Sequence, residues 1–480
     1  MTSLASAAIG LVTLGQAAAQ PSPPGFDAAG LDADIAAGFQ ALDVPGGAVA
    51  VIEGGRIVHE RAFGVTREGE AFQQDTVLRF ASVSKAVTAL ALVQLEADGR
   101  LSLEDPLSSW DGEWTGPDSV TLAHLAGHVS EGIPGETYVY GTNRYARLGP
   151  VIEAASGRSL ADYFCTHIQS PAGAQCHDSP FLGAHAGLRM SVADMARIVA
   201  AMQAGGVLDT AGLDRAFTPF TLNDGRAGPA AVGWFVHEIG GEPVIWSFGQ
   251  DDPDHSGALV AFLPERDLGF VMLANANAVS DPYRLLGGDA LASPFLLAFL
   301  DAAAPDLGRR IDPAYRVLSD GLTAAFRMDL PTAQAAFTQV SQAFDQAPPP
   351  ALVFFASLLS GPGYGDAADA DRALAIVEMA AAQDPGDRWA RLFAAGTQSA
   401  VGSIERARAH YEAILALDNQ EPDFLNALIR AWANRGLAQS YLSEDPARAL
   451  TYVEAGLSTG VSGESRDQLL AMQASLQGAN

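Results

Sequence analysis

Apolar residues fall into three textures along this chain. Between residues 46 and 65 they alternate around a glycine pair: Ala48-Val49-Ala50-Val51-Ile52 reads as a buried strand, Gly54-Gly55 as the turn, and Ile57 to Gly64 as the returning strand. A helical pattern follows Ser82: Val87, Leu90, Ala91, Val93 and Leu95 run to Gly99, a C-terminal stop. Short helices and loops fill residues 100–180. Met190 to Gly205 is predicted as a helix with Ser191 as its N-cap. Strand patterns return at Gly233–His237, Pro243–Trp246, Ala258–Leu263 and Phe270–Ala274, the last two joined by the turn Pro264–Gly269. Asp281–Leu300 ends in an apolar helix. Strands at both ends with helices between predict an α+β unit whose antiparallel sheet is assembled from the two ends of the segment.

The texture then changes. Residues 301–315 read as a linker, and beyond them the strand patterns stop. Ala-rich helical patterns continue to the C-terminus and repeat: Arg372-Ala373-Leu374 and Arg406-Ala407-Arg408 lie 34 residues apart, and Arg448-Ala449-Leu450 follows after a longer gap. Ala373, Val377, Ala380 and Pro385 fit the second helix of a tetratricopeptide unit, and Trp432 with Gly436 fits the first. The tail therefore resembles a degenerate tetratricopeptide-like array, an architecture that offers concave surfaces to protein partners. An unrelated Ala-rich bundle is the alternative.

The net charge of −28 over 480 residues argues against nucleic acid or an anionic membrane surface as partner. No segment reaches the length of a membrane span. Residues 1–19 resemble a signal peptide with an A-x-A site ending at Ala19, although the segment lacks Lys and Arg. The Pro-rich stretch after it reads as a mature N-terminus, so an exported, periplasmic or secreted protein is expected. Cys165 and Cys176 are then candidates for a disulfide, with two buried thiols as the alternative. His167 and His177 nearby lack familiar metal-ligand spacing, and no metal or cofactor is expected.

One residue stands out chemically. Lys85 is the only lysine in the chain; every other basic side chain of that charge is Arg. A guanidinium is never a useful base, whereas a partly buried amine can lose its proton near neutral pH. Lys85 lies three residues after Ser82, so the two side chains share one helix face. The helix N-terminus directs N–H groups and partial positive charge at the serine. A neutral amine there could take the serine proton and allow an acyl-enzyme to form.

The run Phe80-Ala81-Ser82-Val83-Ser84-Lys85, closed by Gly99-Arg100-Leu101-Ser102-Leu103-Glu104-Asp105-Pro106-Leu107, resembles the active-site helix of the serine beta-lactamase-related family, which includes class C beta-lactamases, D-Ala-D-Ala carboxypeptidases and family VIII esterases. Val120–Leu125 and Val260–Gly269 resemble later landmarks of that family, in order. The resemblance covers about residues 30–300, which gives a hydrolase domain over 27–302 and leaves 314–480 as a separate helical domain. It implies a beta-lactamase/transpeptidase-like fold, and it implies roles for particular residues. Tyr140 stands at the family's Tyr-x-Asn motif and would relay protons. Thr142 stands where the motif has Asn, with Asn143 one place late. Ser247-Phe248-Gly249 stands at the third motif, Lys-Thr-Gly or His-x-Gly, on an edge strand. His255-Ser256-Gly257 matches the latter literally but falls too late. The backbone N–H groups of Ser82 and Gln250 would form the oxyanion hole, with Thr142, Ser247 and Gly249 contacting substrate. Ser247 replaces the motif's cation, which disfavours lactam and peptidoglycan substrates that carry a carboxylate. The expectation is a serine hydrolase of esterase or peptidase-like type acting on a small-molecule or peptide acyl substrate. The alternative is a catalytically weak penicillin-binding-like protein whose helical tail binds a protein partner.

Overall fold

The computed structural model describes residues 25–251, 255–280, 290–327, 388–417, 423–461 and 463–478, with isolated positions between 329 and 386. The predicted leader 1–19, the start of the expected Asp281–Leu300 segment and the repeat residues Arg372–Leu374, Val377, Ala380 and Pro385 lie outside the described residues.

A six-stranded antiparallel sheet organises the larger part of the molecule, in the order β2-β1-β8-β7-β6-β5. Here β1 is Gly46–Glu53 and β2 is Arg56–Gly64. A separate two-stranded ribbon pairs β3 (Leu78–Arg79) with β4 (Arg189–Met190). The late strands are β5 (Phe235–Ile239), β6 (Glu242–Asp251), β7 (Ser256–Leu263) and β8 (Leu268–Ala274). The N-terminal hairpin joins them because β1 pairs with β8, Val49 opposite Met272. The sheet is thus closed from both ends of the segment.

Both faces of this sheet are covered, which explains why β1, β7 and β8 read as apolar runs rather than alternating ones. Val49, Val51, Leu259, Phe270 and Met272 point to one face, against Leu31, Ile35 and Phe39 of α1 (Ala28–Ala41) and the helix Pro294–Ala303. Their neighbours Ala48, Ala50, Ile52, Val260, Val271 and Leu273 point to the other face. The period-two geometry of a strand assigns the two sets. The second face is packed by α2 (Ser84–Ala97), buried on almost every side from Ser84 to Val93, and by the helix Val192–Gln203. Ser191 caps that latter helix, accepting from the Asp194 N–H at 3.1 Å.

The stretch expected as a linker, 301–315, is in part helical and packed. Pro305–Gly308 is a short helix, and Ala304, Leu307 and Ile311 are buried in the first core cluster. Of the three only Leu307 lies inside that four-residue helix, so no helical stripe announces the packing, and the surrounding Pro, Asp and Arg residues read as a linker. Helices continue at Pro313–Phe326, Arg388–Ala400, Ile404–Ala416, Asp423–Tyr441, Pro446–Leu457 and Gly463–Gly478. The C-terminal helices share small cores of their own; Ala407, Tyr411, Ile429 and Leu437 fill one of them. Gly436 lies under the Tyr411 ring, where any Cβ would overlap it.

These helices also touch the sheet-containing part. Phe393 and Ala394 pack against the first core cluster. Val139 packs against the cluster formed by Leu428, Val453 and Leu469.

Candidate active site

The chain bends sharply before α2. Phe80 N–H donates to the Leu188 carbonyl at 2.8 Å, holding the end of β3 against the segment before β4. Ala81 then adopts φ 46°, a left-handed conformation that costs a non-glycine residue about 1 kcal/mol. Ala81–Val83 forms a 3₁₀ turn, and the α-helix begins only at Ser84. Ser82 therefore sits in the tight turn ahead of the helix rather than in its first α-turn. Ser84 fixes the bend: its hydroxyl donates to the Ala81 carbonyl (2.6 Å) and accepts from the Leu188 N–H (3.0 Å). Backbone strain of this kind persists where surrounding contacts over-determine it, which is common beside nucleophiles.

The turn brings Ser82 and Lys85 together. Lys85 is 2% exposed, and its Nζ donates to Ser82 Oγ at 3.0 Å and to the His185 carbonyl at 2.9 Å. Nζ also lies 4.8 Å from the centre of the Tyr140 ring and 5.7 Å from that of Tyr145. The Tyr145 hydroxyl donates to the Lys85 carbonyl at 3.0 Å. Burial, and then Tyr140 beside it, pushes the Tyr145 phenol up, so it stays protonated.

His128 stands between the two tyrosines, with ring centres 4.5 Å from Tyr140 and 5.2 Å from Tyr145. Its Nδ1 accepts the Gly141 N–H at 3.2 Å, which leaves the proton of a neutral ring on Nε2. Burial first, and the Lys85 charge second, hold His128 well below the usual histidine range. The same two causes lower His185.

The opposite wall is β6. Strand β5 pairs with β6 only from Glu242 to Trp246. Beyond Trp246 the flank of Ser247–Asp251 that β5 would occupy is left to the active-site turn, so the third-motif candidate lies on a local edge although β6 is not the edge strand of the sheet. A Cβ added at Gly249 would overlap the Phe80 carbonyl oxygen, so only glycine lets the strand pass this close. Ser247, 3% exposed, lines with Ser82, Lys85, His128 and Tyr140 a cavity of about 10 Å³ closed by Trp234, Phe235 and Phe248. Gln250 follows Gly249 on the same strand. His255-Ser256-Gly257 begins one strand further on, opposite Gln250 and Asp251, and does not line the cavity.

Thr142 does not reach the cavity either. It begins the short helix Thr142–Ala146, and it and Asn143 are exposed. They line a second and larger cleft of about 170 Å³ with Glu131, Tyr140, Trp432, Arg435, Ser465 and Gln468. Tyr140 is thus common to cavity and cleft. Under the cleft lies a buried ion pair, Arg144 Nε to Glu131 Oε1 at 3.1 Å, with the Arg144 guanidinium over the Trp114 ring. Gly463, the first residue of the last helix, sits directly on this pair; a Cβ there would overlap both side chains. Cys165 and Cys176 are disulfide-bonded beside the far end of α2, where Gln94 donates to the His167 carbonyl at 3.2 Å.

Sequence reasoning missed His128, His185, Glu131 and Arg144. A single histidine or ion pair has no spacing signature. His128 was reachable only through its nearness to the Val120–Leu125 landmark.

The family model named Beta-lactamase matches residues 31–177 and 167–286, more than half of the 480-residue chain. Penicillin-binding protein 4* of Bacillus subtilis is 30% identical over 164 residues, covering 26% of this chain and 36% of its own length. Esterase EstB of Burkholderia gladioli is 38% identical over 126 residues, covering 24% and 32%. The chain thus spans about a third of the length of these curated relatives. Among solved structures, an octameric penicillin-binding protein homologue from Pyrococcus abyssi shares the fold, with a TM-score of 0.51 and 19% identity over 61% of this chain and 80% of that one.

Proposed function

The chain belongs to the beta-lactamase family, and from that premise we propose that it is an exported serine hydrolase working through an acyl-enzyme on Ser82. The observation that carries this reading is the buried Lys85 amine, 3.0 Å from the Ser82 hydroxyl and packed on the Tyr140 ring. In its neutral form the amine accepts the Ser82 proton as Oγ bonds to the substrate carbonyl carbon. The carbonyl oxygen becomes an oxyanion, held by the backbone N–H groups of Ser82 and Gln250. Collapse breaks the bond to the leaving group, which takes a proton relayed from Lys85 through Tyr140. Water then attacks the ester on Ser82, and the same groups run in reverse to release the acid and restore the serine.

Ester or peptide-like acyl substrates fit this site better than lactams, because Ser247 occupies the place where the third motif has its cation. The proposed organisation is a signal peptide over 1–19, a hydrolase domain over 27–302 and a tetratricopeptide-like helical domain over 314–480. No helix among the described residues is long and apolar enough to cross a membrane.

One observation favours a second reading, a catalytically weak penicillin-binding-like protein. The Ser82 cavity, about 10 Å³, has room for about one water. A fluorophosphonate separates the two readings. Mass spectrometry should find the adduct on Ser82 of the full chain, and Lys85→Arg should abolish it. A chain that no acylating probe labels would be the binding protein.

A further inference from the structure

Ser82 and Lys85 are fixed by the turn before α2, but Tyr140 arrives from a separate segment. The residue that grips that segment is His128. It follows the short helix Leu122–Ala126 and adopts φ 56°, a left-handed conformation disfavoured for most residues other than glycine. Such strain persists where surrounding bonds over-determine it. Here the bonds run to both sides of Tyr140. The His128 carbonyl accepts the Val139 N–H at 2.8 Å, and His128 Nδ1 accepts the Gly141 N–H at 3.2 Å. One residue thus holds both neighbours of Tyr140, the first through its backbone and the second through its ring.

The ring is also wedged between side chains of the site. It lies between Tyr140 and Tyr145, tilted 33° to one and 32° to the other. It is 4% exposed and lines the cavity with Ser82, Lys85 and Tyr140. Tyr145 is itself tied to α2 through the Lys85 carbonyl. The grip depends on the chemical state of the ring. Nδ1 accepts a hydrogen bond only in the neutral imidazole that carries its proton on Nε2; a protonated ring would set N–H against N–H. The ionisable groups that face it are Lys85 from α2, Tyr138 and Tyr140 from the segment before Gly141, and Tyr145 from the helix Thr142–Ala146. None of these is a carboxylate that would favour imidazolium, and burial favours the neutral ring.

We propose that His128 is a positioning residue for Tyr140: by accepting the Gly141 N–H it fixes the phenol for proton relay, acting through Tyr140 rather than on the substrate. This rests on the hydrolase reading above and names the substrates that depend on it. As the bond from carbonyl carbon to leaving oxygen breaks, its electron pair stays on that oxygen. The oxygen takes the Tyr140 proton while Tyr140 takes one from the Lys85 ammonium. An alcohol or amine must be protonated in this way to leave, whereas 4-nitrophenolate departs without a proton. His128 therefore matters for alkyl esters and amides and little for 4-nitrophenyl esters.

The test compares kcat/KM of the full chain for 4-nitrobenzyl acetate and 4-nitrophenyl acetate, which form the same acetyl-enzyme and differ in leaving group. His128→Phe keeps a ring between the tyrosines and removes the acceptor. His128→Asn removes the ring but offers an amide oxygen to Gly141 and tolerates the left-handed backbone. The expected result is that the nitrobenzyl-to-nitrophenyl ratio falls by about tenfold to a hundredfold in His128→Phe, within what a misplacement of about 1 Å can cost. His128→Asn should largely restore it. Thermal melts confirm that each variant is folded, and His128→Leu replaces His128→Phe should that variant not fold. An unchanged ratio in the folded variant without an acceptor, with both rates lowered together, overturns the proposal. So does a ratio in folded His128→Asn that falls equally far. Fluorophosphonate labelling of the wild-type chain keeps the two readings apart. A chain labelled on Ser82 whose variants keep the wild-type ratio loses the role of His128 alone. An unlabelled chain loses the hydrolase reading, and that role with it.

Discussion

The cavity at Ser82 and the cleft beside it share Tyr140 but are built in opposite ways. The cavity is about 10 Å³, mixes polar side chains such as Ser82 and Lys85 with aromatic walls, and is made entirely by residues between 82 and 248. The cleft is about 170 Å³, polar, and completed by side chains from residues 432–468. In the cavity a strained turn and a buried amine are held by short local bonds, Ser84 to Ala81 and Lys85 to Ser82. In the cleft two separate packing surfaces must first meet, with Gly463 seated on Glu131 and Arg144. On the proposed reading, bond-making chemistry would sit in the small enclosed cavity, where electrostatics are strong, beside a larger polar cleft assembled over a long sequence distance.

Tyr140 is where this division can be broken most severely. Tyr140→Phe removes the relay hydroxyl while keeping the ring on Lys85, and acylation should slow by about 10²–10⁴-fold in single-turnover kinetics. A loss confined to KM would instead make Tyr140 a wall of the cleft and not a proton carrier.

Arg144→Ala attacks the cleft from beneath. It strands the Glu131 carboxylate in a buried site, and urea unfolding should show a loss of about 3 kcal/mol. The last helix should loosen with it, because Gly463 loses its seat on the pair. A variant of unchanged stability would mean that the pair is hydrated and the cleft looser than its geometry implies.

The smallest effect is a pH dependence that belongs to the cavity. His128 faces Lys85, Tyr138, Tyr140 and Tyr145, and its pKa is lowered in the folded state by burial and by Lys85. A base whose folded pKa lies below its unfolded value of about 6.5 binds more protons when unfolded. Stability should therefore be fully present above about pH 6.5 and decline as pH falls below it, by up to about 1.4 kcal/mol per pH unit until the folded pKa is reached. Urea melts between pH 7.5 and 5.5 measure the slope, and His128→Gln should make it shallower, with His185, whose pKa is lowered in the same way, contributing to what remains. Stability rising on acidification would contradict the neutral, buried imidazole.

The same contrast explains what could be read from the chain before its structure. Lys85 and Ser82 were legible because three residues of separation and one helix face are a local matter. The β1–β2 hairpin and the Ser191 cap were legible for the same reason. The strained turn at Ala81 was not, since its left-handed φ is imposed by Leu188 and Ser84 rather than by alanine. The packed stretch around Leu307 and Ile311 looked like a linker because its few buried apolar residues stand among Pro, Asp and Arg without a periodic pattern. Arg435 looked like an ordinary tail residue. Docking of the C-terminal helices beside the second motif sets it in the lining of the same cleft as Tyr140, and no periodicity encodes that docking.

The central claim is that Lys85 activates Ser82 as a nucleophile. Its most direct test is the stoichiometry of fluorophosphonate labelling in the full chain, wild type beside Ser82→Ala and Lys85→Arg, read by intact-protein mass spectrometry. The account predicts one adduct per chain, located on Ser82, and none on either variant. Labelling of Lys85→Arg at the wild-type rate, or an adduct on any other residue, would contradict it.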